Sequence, residues 1–497
     1  MQLSRNWVLG IVALIAIFLS LLSLEHGRSG LEITGLNVGT TPVTLYQKPD
    51  DKGPVVVVAH GFAGSRQLMQ AYSLTLAQSG YTVLAFDSEG HGRNPVPMSG
   101  DVTSVDGTTA LLVAQTRWVI AFGRELPGAE KGLALLGHSM ATDILVRAAI
   151  AEGEQGTPVD AVVAISMFSQ AVTAEQPSRL LAISGQWEGR LREEALANLR
   201  LVQPDAEEGE TAEVGDVSRR AVVAPHVEHV GVLFSPTALR ESRDWLDKAF
   251  GRESTGDVVK PGWWILLLMT GIVLLWRPLV SLLPRSANET VAVSARRFWV
   301  SILLPGVLVP LVATPLYVPF LPVLVADYLM IHLALYGVLQ LLILRGGMTL
   351  RGSGLSIVAV LVLIVWGVVV FGFAMDRYVA SFMPNAERML LIAVLAVGTV
   401  PFMVADSYAT GSGRGAVWRR IAARLAVLVS LGMAAALDPE QLMFLFIILP
   451  VLVLFYFVHG LMGRWVAQQS GALSAGVGLG LCLAWALGVS FPLFSAG

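Results

Sequence analysis

The stretch GLALLGHSMA, residues 132–141, decides how the first half of this chain folds. Its first six residues form a short apolar run typical of a buried strand, and a helical pattern follows over residues 140–152. Ser139 is therefore expected at a tight turn from strand to helix, where small neighbours make room for a strained backbone and an exposed hydroxyl group. The last residue of the turn, Ala141, keeps the side chain small.

The flanking sequence repeats this alternation of apolar strand patterns and helical patterns. The alternation predicts an α/β fold, a mainly parallel sheet covered by helices on both faces. About a dozen residues separate the strands predicted at 162–166 and 180–184. Residues 31–46 read as an antiparallel hairpin. The other predicted strands are 55–60, 82–87, 132–137 and 221–225, and the other predicted helices lie near 67–79, 106–125, 190–201 and 237–250.

The whole chain is too apolar for an ordinary water-soluble protein. Of its 497 residues, 54% are hydrophobic and 14% are charged. The apolar excess lies in residues 262–497, where the stretches approach the length of about 20 residues that crosses a bilayer. We predict an all-α polytopic bundle of about eight transmembrane helices there, preceded by the α/β domain over residues 31–252 and a linker over residues 253–261.

The N-terminal segment is also apolar, from Trp7 to Leu24 after a single Arg5. It is long enough to span a bilayer and longer than the usual core of a signal peptide. We interpret residues 1–24 as an uncleaved signal anchor, with a cleaved signal peptide as the alternative. Both interpretations place the following domain outside.

The arginines predict the same orientation. With the α/β domain outside, the outer links hold only Arg377 and Arg388, and the inner loops hold the remaining loop arginines, as the positive-inside rule requires. We therefore predict a multi-pass protein of the plasma (inner) membrane with its α/β domain on the exocytoplasmic side. The inner arginines are Arg285, Arg296, Arg297, Arg345, Arg351, Arg414, Arg419, Arg420, Arg424 and Arg464.

Charge and cysteine content exclude two classes of function. The formal net charge of -3 and the lack of a basic block give no reason to expect a nucleic-acid partner. The single cysteine, Cys482, lies in an apolar stretch, so neither a disulfide framework nor a cysteine metal site is expected. We expect no metal or organic cofactor, and the sequence assigns no oligomeric state.

Two segments can supply fixed hydrogen-bond donors next to Ser139. The predicted strand 55–60 ends in the Gly-rich turn HGFAGS, residues 60–65, where backbone amides can point into a cavity. Acyl transfer passes through a tetrahedral oxyanion that such amides stabilise. The natural pair is the N–H of Phe62 and the N–H of Met140, with His60 as a structural residue of the turn.

A serine nucleophile also needs a base and an acid. Glu188 follows the predicted strand 180–184, and His229 follows the last predicted strand, in the segment PHVEHVG over residues 225–231. The order serine, acid, histidine is the one expected for this kind of fold. His226 is the competing base, and another acid could replace Glu188.

The segment FDSEGHGR, residues 86–93, completes a set of four ordered motifs at strand ends. The domain resembles the α/β-hydrolase superfamily, within it the monoacylglycerol-lipase-like and serine-aminopeptidase-like branch. The resemblance implies Ser139 as nucleophile, His229 as base and Glu188 as acid, although the family's usual acid is Asp. It implies structural roles for Asp87 and His91. Many members of the family insert a helical lid between the strands that correspond to 162–166 and 180–184, so the short connection here implies no large lid and an open site.

Together these features predict a membrane-anchored serine hydrolase that cleaves an ester, with a small-molecule or lipid-like substrate next to membrane lipids. A peptidase or a transacylase would use the same residues, because pocket contacts select the leaving group and the acceptor. The alternative from another class is a hydrolase-like ligand-binding domain of a transporter or membrane complex.

Overall fold

The computed structural model describes residues 2–101, 105–254, 256–286, 293–321, 323, 325–345 and 354–495. Arg351, one of the predicted inner arginines, lies outside these residues. The part of the chain after the N-terminal helix divides into a region with a single large sheet, called here the sheet domain, and a region of long apolar helices, called the helical domain.

Nine strands form the sheet, and in chain order they are β1 (Glu32–Val38), β2 (Thr41–Gln47), β3 (Val55–Ala59), β4 (Thr82–Phe86), β5 (Leu133–His138), β6 (Ala161–Ile165), β7 (Arg179–Gly185), β8 (Thr211–Val214) and β9 (Val217–Ala224). Their spatial order is β1-β2-β4-β3-β5-β6-β7-β9-β8. Six strands pair in parallel, in the spatial order β4, β3, β5, β6, β7 and β9. At the two edges the pairing is antiparallel, with β1 and β2 at one edge and β8 at the other. The predicted α/β fold is confirmed, and β8 is a strand that the sequence patterns did not predict.

Six helices precede the helical domain, namely α1 (Gln2–His26), α2 (Gln70–Gln78), α3 (Ala110–Arg124), α4 (Met140–Glu154), α5 (Gly189–Arg200) and α6 (Pro236–Ala249). Helices α2 and α6 cover one face of the sheet, and α3, α4 and α5 cover the other. All five residues of β3 are buried because both of its faces are covered, which explains its uninterrupted Val run. Between β6 and β7 the described chain has no helix or strand, as expected for a domain without a large lid.

The helical domain comprises α7 (Gly262–Leu279), α8 (Ala295–Ala313), α9 (Ala326–Arg345), α10 (Ile357–Ile364), α11 (Phe371–Tyr378), α12 (Ala386–Ala409), α13 (Val417–Leu437), α14 (Pro439–Leu442), α15 (Leu445–Ser470) and α16 (Ala472–Ser490). A π-helical turn joins α10 and α11 into one continuous helix. Among the described residues, nine helices including α1 are long and apolar enough to cross a membrane. The chain is thus a multi-pass membrane protein by length and composition, while the domain boundaries stay predictions.

One end of the helical domain contacts the sheet domain. The last turn of α11 supplies Asp376, which pairs with Arg93 at 2.7 Å, and the link between α11 and α12 supplies the amide of Ser381, which donates to Ser65 Oγ at 3.0 Å. The residues after α16 pair with the segment after β4 through backbone bonds, including Met98 N to Leu493 O at 2.8 Å. These contacts lie at the carboxyl ends of β3 and β4.

Candidate active site

Ser139 lies at the turn between β5 and α4. Its φ of 55° and ψ of −122° are unfavourable for a residue with a side chain, and such strain persists only where the surroundings enforce it. The amide of Ser139 donates to Ile165 O at 2.9 Å, and Thr142 Oγ1 donates to Ser139 O at 2.7 Å. The turn therefore holds the hydroxyl group beyond the end of the strand, as the sequence predicts.

His229 lies between Ser139 and Glu188. Its Nε2 is 2.9 Å from Ser139 Oγ, and its Nδ1 is 2.6 Å from Glu188 Oε1. Since an ionised carboxylate can only accept, Nδ1 carries the proton and Nε2 is free to accept the hydroxyl proton of Ser139. The structure thus brings the three predicted residues into one hydrogen-bonded chain.

The second oxygen of Glu188 is also satisfied. Oε2 accepts from Ser166 Oγ at 2.8 Å and from the amide of Gly185 at 2.6 Å. Burial raises the pKa of Glu188, but the hydrogen bonds from His229, Gly185 and Ser166 outweigh it and bring the pKa below its ordinary value. A glutamate serves here because its longer side chain reaches back from the residue before α5 to β7 and His229.

His138 contacts the backbone of His229. Its Nε2 donates to His229 O at 2.8 Å, and the two imidazole rings lie 4.7 Å apart. Burial and the neighbouring His229 lower the pKa of His138 to about 4, so its ring is neutral near pH 7. His138 is a positioning residue, since it contacts the backbone of His229 and not Ser139 Oγ.

The two predicted amide donors belong to residues close to Ser139, because Met140 follows it directly and Phe62 follows Gly61 in the neighbouring turn. Within the described residues, neither the Phe62 amide nor the Met140 amide donates to another group of the protein. The turn that carries Phe62 approaches Ser139 closely, because a Cβ on Gly61 would lie 2.9 Å from Ser139 Cβ. Gly61 therefore permits the approach of a donor pair that could receive an oxyanion.

The competing histidines have other roles. His226 is exposed, and its amide donates to Gln186 Oε1 at 2.8 Å. His60 is buried and joins β3 to the turn after β4, where its Nε2 accepts from Ser88 N at 3.1 Å. His91 packs against His60 at 5.2 Å between ring centroids. Asp87 accepts from the amides of Arg66 and Arg93, which makes it a structural residue of the turn.

Comparisons with known proteins agree with this geometry. Residues 50–216 match the family model described as serine aminopeptidase, S33. The human protein ABHD12B is 30% identical over 161 residues, which make up 32% of this chain and 42% of that relative, so the match spans less than half of its length. The sheet domain is an α/β-hydrolase domain. The resemblance predicted from the four motifs is thereby confirmed, and we call the sheet domain the hydrolase domain from here on.

Solved structures of hydrolases are similar to the hydrolase domain at low identity. A dienelactone hydrolase from Anabaena variabilis aligns with 45% of this chain and 98% of its own length, at 18% identity and a TM-score of 0.33. A mutant of the esterase rPPE aligns with 46% of this chain and 85% of its own, at 15% identity and a TM-score of 0.34. An epoxide hydrolase from an endophytic Streptomyces aligns with 45% and 97%, at 13% identity and a TM-score of 0.32.

A cavity of about 460 Å³ opens beside Ser139 and His229 in the hydrolase domain. Its apolar lining residues are Val105, Met140, Ile144, Phe168 and Leu191. A larger cavity of about 530 Å³ lies between the end of α1 and α2, and Ser139, His229 and Glu188 are not among its lining residues. Among the residues that the structure describes, no group of three or more His, Cys, Asp or Glu could hold a metal ion.

Ser166 was not predicted from the sequence as a site residue, and no role in the site was predicted for His138. Ser166 is the residue directly after β6, on the same edge of the parallel sheet as Ser139 and Glu188. Polar residues at the carboxyl ends of parallel strands meet at one edge, so its position was a usable signal. The bond from His138 to His229 O gave no signal, because it joins residues that are 91 positions apart.

We expect Ser166→Ala to lower kcat about tenfold, because Glu188 loses one of two bonds to Oε2 and a hydrogen bond to a charged group contributes about 1.5–3 kcal/mol. Ser166 has a φ of 52°, which glycine adopts without strain. Ser166→Gly therefore removes the hydroxyl group without backbone strain, and it separates the effect of the lost hydroxyl from the effect of strain in Ser166→Ala. Equal losses in the two variants, measured by steady-state ester hydrolysis, would assign the effect to the hydroxyl, and unchanged kcat in both would contradict it.

We expect the hydrolase domain to lose stability as the pH falls from about 6.5 towards 4. Burial, together with nearby His60, lowers the pKa of His91 to about 3, and the pKa of His138 is about 4. In this window the unfolded chain binds protons that the folded chain does not, so each histidine costs up to about 3 kcal/mol near pH 4. The melting temperature of the full chain in detergent should fall with pH, and less steeply in His91→Asn. A flat profile in the wild type would contradict this.

Proposed function

We propose that this chain is a membrane-anchored serine hydrolase that cleaves a carboxylic ester through an acyl-enzyme on Ser139. The observation that carries the proposal is the chain of bonds from Ser139 Oγ through His229 to Glu188, at 2.9 and 2.6 Å. Within the part of the chain that the structure describes, the amides of Phe62 and Met140, in the two turns next to Ser139, donate to no other group of the protein. This combination has a clear chemical use only if Ser139 attacks an acyl carbon.

In the first half of the reaction, Ser139 Oγ bonds to the ester carbonyl carbon while its proton passes to His229 Nε2. The electron pair of the carbonyl moves onto its oxygen, which accepts from the amides of Phe62 and Met140. Removing one such donor costs about 10²–10³ in kcat in a comparable site. His229 then gives its proton to the leaving alkoxide as the carbon–oxygen bond breaks, and the acyl group stays on Ser139.

In the second half, His229 Nε2 takes a proton from water while the water oxygen bonds to the acyl carbon. The tetrahedral intermediate collapses, the bond to Ser139 Oγ breaks, and His229 returns the proton to Ser139. Glu188 holds the imidazole in the same tautomer throughout and stabilises its charged form, which its lowered pKa favours.

The substrate that fits this site is an ester with an apolar acyl group. Val105, Ile144 and Phe168 contribute apolar side chains to the lining of the cavity beside Ser139. Among the described lining residues the one carboxylate is Asp143, and it is engaged, because its two oxygens accept from Arg147 Nε and Ser169 Oγ at 2.7 Å each. A peptidase that selects a free amino terminus would need an available carboxylate there, so the cavity favours the ester over the peptide.

The test uses the full-length chain purified in detergent. We expect it to react with a fluorescent fluorophosphonate and to hydrolyse p-nitrophenyl butyrate about tenfold faster than the acetate in kcat/KM, because each buried methylene contributes about 0.8 kcal/mol. A folded wild type without labelling or hydrolysis would overturn the proposal and favour a ligand-binding domain. Faster cleavage of an aminoacyl anilide than of either ester would favour a peptidase.

We also propose that the hydrolase domain faces the exocytoplasmic side of the plasma membrane. The arginines support this orientation, because most of them lie at the helix ends far from the hydrolase domain, where the positive-inside rule places the cytoplasm. A membrane-impermeant maleimide should label Val214→Cys in intact cells and should label Leu282→Cys only after permeabilisation. Both positions are more than half exposed, and the native Cys482 is buried. Labelling in the reverse pattern would contradict the orientation.

A further inference from the structure

The residues after α16 pair with the hydrolase domain through backbone hydrogen bonds. Leu493 N donates to Gly90 O at 2.8 Å, and Ser495 N donates to Met98 O at 2.7 Å. These bonds join the C-terminal segment, residues 491–495, to the segment after β4 in the hydrolase domain. Gly90 is needed at this crossing, since a Cβ there would lie 2.5 Å from Leu493 O.

This pairing puts Phe494 in the apolar cluster next to the active site. Phe494 is 5% exposed and packs with Met98, Leu112 and Ile144 of the hydrolase domain. The side chains of Phe62 and Met140 pack against the same cluster. The side chains of the two residues that carry the amide donors therefore pack against a cluster to which the helical domain contributes an aromatic ring.

A buried arginine holds the C-terminal segment in place. Arg388, near the start of α12, is 1% exposed. Its Nε and Nη2 donate to Gly92 O and Gly90 O at 3.0 Å, and its Nη1 donates to Gly488 O at 3.0 Å and Phe491 O at 2.5 Å. One guanidinium thus binds the turn after β4 and the last carbonyls of α16, whose partial negative charge favours a cation.

The same turn contacts Phe62 from its other side. The ring of His91 lies 5.4 Å from the ring of Phe62 in an edge-on arrangement, and Phe444, beside the start of α15, lies 6.0 Å from it. Phe62 is consequently surrounded by the turn that Arg388 fixes and by an aromatic residue of the helical domain.

We propose that the helical domain completes the active site, with Phe494 and Arg388 as positioning residues that hold the amides of Phe62 and Met140 where the oxyanion forms. The inference rests on the proposed serine-hydrolase function. Donors stabilise an oxyanion only when fixed at hydrogen-bonding distance from it, so loss of support under their side chains lowers the rate of the chemical step more than substrate binding.

The test compares kcat and KM for p-nitrophenyl acetate, whose short acyl group makes little use of the apolar cavity. We expect Phe494→Ala in the full chain to lower kcat at least tenfold with KM within about twofold, because the two donors together account for more than that factor. Phe494→Leu, which refills most of the space, should restore kcat to within about threefold. Phe457→Ala, at an exposed phenylalanine of α15, is the matched control and should equal the wild type.

Arg388→Lys acts on the same contacts from a different position, because a single ammonium cannot reach the four carbonyls that the guanidinium binds. Arg388→Lys should show the same fall in kcat. If Phe494→Ala does not fold, Arg388→Lys replaces it as the test variant. A kcat within twofold of the wild type in either folded variant would overturn the inference. Failure of the proposed function looks different, since the wild type itself would then neither label nor turn over.

Discussion

Ser139→Ala is expected to abolish fluorophosphonate labelling and to lower kcat for ester hydrolysis by about 10⁶-fold, the loss measured when the nucleophile of a comparable triad is removed. The loss is large because His229 Nε2 then has no hydroxyl proton to accept and no acyl-enzyme can form. A residual rate about 10³-fold above that of water should persist, since the amides of Phe62 and Met140 still stabilise an oxyanion. Initial rates and gel fluorescence at equal protein concentrations measure both effects.

The matched control is Ser218→Ala, at a serine of β9 whose hydroxyl bonds to Glu213 at 3.4 Å on the surface. It should label and turn over like the wild type. If Ser139→Ala kept its labelling, the reactive serine would lie elsewhere, and the bond between Ser139 and His229 would need another explanation.

Glu188→Gln is expected to lower kcat by about 10⁴-fold, as the equivalent loss of charge does in a comparable triad. The glutamine keeps the size of the side chain but can present an N–H to His229 Nδ1, which favours the wrong tautomer and leaves Nε2 protonated. It also loses the charge that stabilises the imidazolium. Because Glu188 is 9% exposed, water does not replace that charge efficiently.

Two further variants separate the effect of the charge of Glu188 from the effect of the length of its side chain. Glu188→Asp keeps the charge on a shorter side chain, so it should retain more activity than Glu188→Gln. Glu213→Gln removes an exposed carboxylate that pairs with Lys248 and should leave kcat unchanged. Equal activity of Glu188→Gln and the wild type would show that another acid orients His229.

Much of the hydrolase domain could be predicted because its signals are local. The apolar runs of β3 and β5 indicate strands buried on both faces, and the residues after them indicate turns at the carboxyl edge of a parallel sheet. Ser139, Glu188 and His229 each follow such a run, so their order along the chain predicted their meeting. Strand β8 was missed, since its four residues carry two exposed positions and little apolar pattern.

The partners of the site residues could not be predicted in this way. The bonds of Ser166 to Glu188 and of His138 to His229 O depend on side-chain directions at the sheet edge, which apolar periodicity does not encode. Arg388 was read only as one of two outer arginines, whereas the structure buries it against carbonyls of both domains. A burial of this kind depends on contacts between residues that lie about 300 positions apart.

The sequence by itself determined the α/β fold, the apolar helices and the three residues assigned to the proposed ester hydrolysis, because each leaves a pattern within a few residues along the chain. Only the tertiary structure decided that Phe494 joins the apolar cluster against which Phe62 and Met140 pack. Backbone bonds and a buried guanidinium there join the residues after α16 to the segment after β4. Such groups must be satisfied wherever the fold removes them from water, and the location of their partners is a property of the packed molecule.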